Sequence, residues 1–163
     1  MNELNKDMIV YIALKTGLPE ITALCQTNSK FNNFIGQNSI FWMNRLIQDY
    51  QIYNIPGAFL RQKKIYYHHI FAWSQYPKTC LEHGVRYKDL NYIRIALNKG
   101  ADIHTGNEYP LREAIRLNHS EVVKYLIDKG ASIPHNLVIG KNTKLDIMYY
   151  LHEMIHKYYR IDK

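Results

Sequence analysis

Cysteine is nearly absent from this chain. Its 163 residues contain two, Cys25 and Cys80, one in each half. Without C-x-x-C spacing they form neither a disulfide framework nor a zinc knuckle, and the simplest reading is a pair of buried free thiols. Long hydrophobic runs are missing as well. None reaches the roughly 20 residues that a membrane helix needs. The opening stretch MNELNKDMIVYIALKTG lacks the basic start and the small-residue cleavage site of a signal peptide. A soluble, cytoplasmic protein without membrane contact is therefore expected. No glycine-rich phosphate loop, no G-x-S-x-G elbow and no paired carboxylates in an apolar setting are found, so neither an enzyme nor a bound cofactor is expected. Strand signals are scarce and alanine is low, whereas Ile, Asn, Lys and Tyr are heavily used, a bias typical of an A+T-rich coding sequence.

Apolar residues make up 47% of the chain, enough for a packed interior. The formal net charge is +7, which favours acidic partners without specifying a fold. Base and aromatic residues mix densely only in RQKKIYYHH (Arg61 to His69) and HKYYRIDK (His156 to Lys163). Both read as amphipathic helix with a basic wet face, so nucleic acid is not the expected partner.

Helical periodicity recurs along the first half. Met8, Ile12 and Leu14 fall on a short first helix, with Asn5 or Asp7 as its cap and Gly17 as its break. Pro19 opens a second helix bearing Ile21, Leu24 and Cys25. Asn38-Ser39 caps a third, with Phe41, Trp42, Leu46 and Ile47. After the turn Asn54 to Gly57, a helix through about Ala72 is expected to bury Phe59, Ile65, Tyr66, Ile70 and Trp73. The best boundary is Gln75-Tyr76-Pro77, giving expected domains of 1–75 and 76–163.

The second half repeats itself. DLNYIRIALNKGADI (Asp89 to Ile103) aligns with HSEVVKYLIDKGASI (His119 to Ile133), and Gly130 lies 30 positions after Gly100. Leu81 and Leu111, Gly84 and Ala114, Val85 and Ile115 keep the same offset. A shorter third copy, KLDIMYYLH (Lys144 to His152), matches HSEVVKYLI. Each unit reads helix, tight turn, helix, glycine stop. Gly100 and Gly130 supply the left-handed stop, and Asn118 suits a left-handed turn between paired helices. Units of this kind cannot bury their apolar sides alone and must stack.

YPLREAIRLNHSEVVKYLIDKGASI (Tyr109 to Ile133) resembles an ankyrin repeat. Tyr109-Pro110-Leu111-Arg112 stands where that family has T-P-L-H, and Lys129-Gly130-Ala131-Ser132 where it has x-G-A-D. Two and a half such copies span about residues 77 to 155. The Thr and His of the motif are replaced, and the fingers between units are about three residues shorter than is standard for the family. Residues 4 to 47 resemble a divergent F-box. Leu4-Asn5-Lys6-Asp7 stands in for the L-P-x-E opening, with Asn5 in place of Pro, and Leu18 to Trp42 resembles the later part through Phe31, Ile35 and Trp42. The combination resembles F-box/ankyrin proteins of large DNA viruses, which implies host-cell cytoplasm as the location. A plain helical cap on the stack is the alternative for residues 4 to 73.

LHEMIH (Leu151 to His156) spells H-E-x-x-H and resembles the zinc helix of SprT-like metalloproteases. That chemistry needs a third ligand, and only seven residues follow His156, with Asp162 near the terminus. An upstream ligand, His119 or His135, would be an arrangement that family does not use. Ile147, Leu151, Met154, Ile155 and Tyr158 instead form an apolar stripe of a docking helix, leaving His152 and His156 at its solvent margin. No metal site is expected.

The two resemblances together imply an all-α adaptor: a short F-box-like bundle followed by about two and a half ankyrin-type helix pairs and a capping helix. The front would recruit a cullin-type ubiquitin ligase through its adaptor subunit, docking with Leu4, Met8, Ile9, Ile12, Leu18, Pro19 and Ile21. The rear would hold a target protein with His104, Thr105, Asn107 and Glu108 of the finger and with Arg86, Tyr87, Arg116 and Leu117 at the helix ends. A free-standing ankyrin interaction module without a ligase link is the alternative, and a small zinc hydrolase the third reading.

Overall fold

The computed structural model describes residues 6–158, and among them every regular element is a helix. The chain divides into two compact units, residues 1–72 and 73–163.

In the first unit, α1 (Lys6–Lys15) and α2 (Leu18–Thr27) are separated at Gly17, and Pro19 sits in the first turn of α2, where its missing N–H costs nothing. Because α1 starts at Lys6, Asp7 is not its cap, and Asn5, like Leu4, lies outside the described residues. Next comes a short helix α3 (Ser29–Phe31) that runs into a π-helical turn, Asn32–Gly36. Neither is announced by the polar run Thr27 to Asn33. The Asn28 side chain caps α3 by accepting from Phe31 N–H at 3.0 Å, and the turn delivers Ile35 to the core with no exposure. Asn38 caps α4 (Ser39–Tyr50) as expected, accepting from the amides of Ile40 and Phe41 at 3.0 Å each. A 3-10 turn (Gly57–Phe59) leads to α5 (Lys63–Ser74).

Phe41, Trp42, Leu46, Tyr66, Tyr67 and Ile70 are buried together with Ile21 and Ile35. Trp42 stands edge-on to Phe41, and its indole donates to the Gly36 carbonyl at 3.3 Å. The face of α5 is rotated from expectation: Ile65 is 46% exposed and Tyr67 takes the core position. Tyr67 can do so because its hydroxyl donates to Asp49, which in turn pairs with the buried Arg45 at 2.7 Å. Arg45 also donates to the carbonyls of Leu14 and Thr16 at 3.1 and 3.2 Å, and Gln48 to that of Leu14 at 3.1 Å, so the C-terminal end of α1 is satisfied by side chains of α4.

The second unit is built from α6 (Pro77–Arg86), α7 (Leu90–Asn98), α8 (Thr105–Arg116), α9 (Ser120–Asp128) and α10 (Leu145–Tyr158). Helices α6 and α7 pack as one antiparallel pair, α8 and α9 as the next, α8 lies on α6, and α10 packs on α9. The 30-residue period is also present in the backbone. Lys88 and Asn118 both turn left-handed (φ 56° and 59°) between paired helices, and Gly100 and Gly130 (φ 86° and 101°) end the second helix of each pair. The closing hydrogen bonds coincide: Asp89 N–H to Gly84 and His119 N–H to Ala114 carbonyls at 2.9 and 3.0 Å, then Ala101 N–H to Ala96 and Ala131 N–H to Leu126, both 2.9 Å. The core is equally repetitive. Leu81 and Leu111, Ile93 and Val123, Ala96 and Leu126 are all fully buried.

Packing of α6 against α7 leaves little room at Gly84. A Cβ there would lie 2.8 Å from the Ile93 nitrogen and 3.0 Å from the Asp89 oxygen, whereas Ala114 occupies the same register in the next pair. The His119 ring donates to the Val85 carbonyl at 2.9 Å and ties one pair to the other. Cys80 is buried with its thiol directed at the Tyr92 carbonyl, 3.4 Å away, and burial pushes its pKa up to about 12. Cys25 is only half-buried.

The third repeat is incomplete. Residues 129–144 contain no helix, so the first helix of a third pair is missing and α10 alone represents it. Its buried stripe is Ile147, Leu151 and Met154. Ile155, expected in that stripe, is 39% exposed, because the packed face is narrower than the sequence pattern. The side chain of Tyr158 lies outside the described residues.

Candidate partner-binding surface

The missing helix creates the most distinctive concavity of the second unit. In the complete pair, α6 is covered by α8. The outer side of α8 is covered only by an irregular segment, and a groove of about 410 Å³ lies between them. Tyr109, Arg112, Glu113 and Arg116 line one wall, and Asn136, Leu137, Val138 and Asn142 the other. Asn118 holds the second wall in place. Its amide donates to the Asn142 carbonyl at 3.1 Å, and its side-chain oxygen accepts from Lys144 N–H at 2.8 Å. The residue that turns the chain between α8 and α9 therefore also brackets the groove.

Charge in the groove is mostly positive. Arg116 grips Glu113 with two hydrogen bonds, 2.7 and 2.8 Å, and this contact is the main reason the Glu113 carboxyl titrates below its ordinary range. Arg86 occupies the register 30 positions before Arg116 and hydrogen-bonds the Tyr109 hydroxyl, which raises the arginine pKa further. Arg112 is exposed and has no carboxylate partner among the described residues. Of the three guanidinium groups, only that of Arg116 is paired with the carboxylate of Glu113. Beside them, Val138 is 87% exposed. An amphipathic segment with acidic side chains would satisfy both features.

The finger residues are arranged differently from expectation. Gly106, Asn107 and Glu108 form a left-handed turn (φ 60°, 54° and 60°), after which a right-handed helix carries Pro110 in its first turn. His104 and Asn107 are exposed and Thr105 is half-exposed. Glu108, expected at the tip, is 8% exposed instead. The left-handed turn folds its side chain back onto His104, whose Nδ1 meets the carboxylate at 2.5 Å. That hydrogen bond, ahead of all else, raises the His104 pKa above the ordinary 6.5. Tyr87 is 67% exposed with its ring 4.5 Å from that of His83, and Leu117 is half-buried. Of the eight anticipated rear residues, the fold gathers Arg86 and Arg116 on the groove side. Tyr109, Arg112 and Glu113 were missed, although the helical spacing 109, 112, 113, 116 was a signal that they share one face.

On the first unit, Met8, Tyr11, Ile12 and Leu24 are exposed to between 39% and 64%. Leu18 and Ile21, anticipated as docking contacts, are buried in the core at 7% and 0% exposure. They lie on the inner side of α2, whereas Pro19 is exposed and Ile9 half-exposed.

Among the described residues no group of three or more His, Cys, Asp or Glu side chains converges anywhere. No described helix is long and apolar enough to cross a membrane.

Comparison with known proteins bears on one helix pair of the second unit. No curated protein and no solved structure matches the chain. Residues 106–135, which comprise nearly all of α8, α9 and the glycine stop, match the family model of the ankyrin repeat, an interaction fold that is typically non-enzymatic.

Proposed function

We propose that the chain is a protein-binding module whose target lies along the groove between α8 and the 134–143 segment. The observation that carries this reading is the cluster Arg86, Tyr109, Arg112, Glu113 and Arg116 beside exposed apolar residues, on a repeat of an interaction family. Arginine and tyrosine are the residue types that most often dominate binding energy. The target segment is acidic and amphipathic, with carboxylates toward Arg112 and Arg116 and apolar groups toward Leu137 and Val138. The test is quantitative affinity purification with wild type and with Arg112→Glu/Arg116→Glu. Proteins retained by wild type and lost by the folded variant support the reading; identical retained sets refute it.

We further propose, at a finer level, that the first unit engages a ubiquitin-ligase adaptor subunit. Exposed Met8, Tyr11, Ile12 and Leu24 on α1 and α2 favour this over a plain cap. Leu18 and Ile21 would act only by holding those helices. Met8→Glu/Ile12→Glu should abolish copurification of such a subunit while leaving far-UV circular dichroism unchanged. If wild type retains no ligase subunit, the module works without a ligase link.

A further inference from the structure

The face of α10 turned away from α9 bears two histidines that the interaction surface does not use. His152 and His156 are both exposed, one helical turn apart, and their Nε2 atoms lie 3.1 Å from each other. For a metal–nitrogen bond of about 2.0–2.1 Å, a separation of 3.1 Å corresponds to an N–metal–N angle of about 95–102°. That angle is about 8–15° narrower than tetrahedral, a gap that a small rotation of either exposed imidazole closes. The pair therefore stands as two legs of a zinc site without any rearrangement of the helix.

Among the described residues of one chain the site stays half built. Glu153 points off the shared face by its position in the helix, and no third ligand converges among the described residues. A structural zinc ion takes four protein ligands, so two coordination positions are open. Around the histidines runs an exposed apolar row that the packing on α9 leaves uncovered: Leu145 at 68%, Met148 at 42%, Tyr149 at 74% and Ile155 at 39% exposure. These residues follow the helical spacing of the histidines, on the side away from the buried Ile147, Leu151 and Met154.

We propose that His152 and His156 bind zinc together with the same pair from a second copy of this chain, so that the ion bridges a two-fold dimer across α10. A two-fold axis through the ion supplies the missing two nitrogens from an identical surface and needs no other partner. The apolar row is buried at the same time, which adds association energy that four imidazoles alone would lack. The site is structural rather than hydrolytic: four nitrogens leave no position for water. Helix α10 thus ends the stack and joins it to its copy.

Analytical ultracentrifugation of the untagged full chain, with equimolar ZnCl2 and with excess EDTA, tests this. The expected result is a zinc-dependent dimer holding one zinc per two chains, dispersed by EDTA. His156→Ala and, separately, His152→Ala should stay monomeric with zinc; both positions are exposed, and unchanged circular dichroism confirms the fold. Tyr149→Glu should weaken the zinc-dependent dimer while leaving the histidines in place. One zinc per chain with no change in mass would overturn the bridge. No zinc binding, or a zinc-dependent dimer that survives His156→Ala, would overturn the site.

Discussion

Leu111→Ala puts the repeat architecture under direct load. Leu111 is fully buried in α8, in register with fully buried Leu81 of α6. The change removes three carbons from the interface between pairs, worth about 2.4 kcal/mol at roughly 0.8 kcal/mol per buried methylene. A stack held by α6, α8 and α9 collapses poorly around a hole, so a cavity term adds to this and the total is about 3–5 kcal/mol. For a unit of about 90 residues, each kcal/mol lowers Tm by roughly 4–8 °C, so a fall of at least ~12 °C is expected. Thermal unfolding followed by circular dichroism measures it, with Arg116→Ala as the exposed control that should leave Tm unchanged. Leu111→Met keeps the volume and should cost under about 1.5 kcal/mol. A fall of less than about 4 °C for Leu111→Ala would mean that Leu111 does not sit between stacked pairs, and the repeat alignment would fail with it.

Gly84→Ala and Ala114→Gly are opposite substitutions in the same register, and both should destabilise. At Gly84 overpacking against the Ile93 and Asp89 backbone, about 1–3 kcal/mol, outweighs a helix-propensity gain of about 1 kcal/mol; a raised urea midpoint for Gly84→Ala would contradict this. Asn118→Gly preserves the left-handed turn but loses the bracket on Asn142 and Lys144, so amide exchange should quicken across 134–144 with little loss of stability; Asn118→Ala should also cost about 1–2 kcal/mol from the backbone. Arg45→Met leaves Asp49 without its cation and the Thr16 carbonyl without its side-chain donor and should cost about 3 kcal/mol, part of which Asp49→Leu restores in the double variant. His104, held above 6.5 by Glu108, stabilises the finger fully below its unfolded pKa and loses that contribution as pH rises through the folded value. NMR titration of the imidazole should give a midpoint above 6.5 in wild type and a lower one in Glu108→Gln; equal midpoints would dismiss the contact.

What the sequence made legible follows from which features are periodic. Gly100 and Gly130, Leu81 and Leu111, the cap Asn38 and the left-handed turn residue Asn118 recur or sit at positions that only a few residue types can fill. Helix pairing could therefore be read without coordinates. The face of α5 was misjudged because Ile65 and Tyr67 are both apolar enough to be core, and the choice depended on a hydroxyl contact with Asp49, 18 positions away. The π-helical turn at Asn32–Gly36 is hidden by asparagines that ordinarily signal loops. Glu108 is polar and lies in a finger, so burial against His104 had no local signal beyond their four-residue spacing. The groove depends on a helix that is missing, and the shortened third copy gave its place but not its lining.

The most direct test of the binding face is hydrogen–deuterium exchange on the chain before and after it is loaded with a protein it retains from cell extract. The account predicts new protection in residues 109–116 and 134–144, with Arg112→Glu/Arg116→Glu abolishing both binding and protection. Protection confined to α7 and α9, with the groove exchanging as in the free chain, would contradict it.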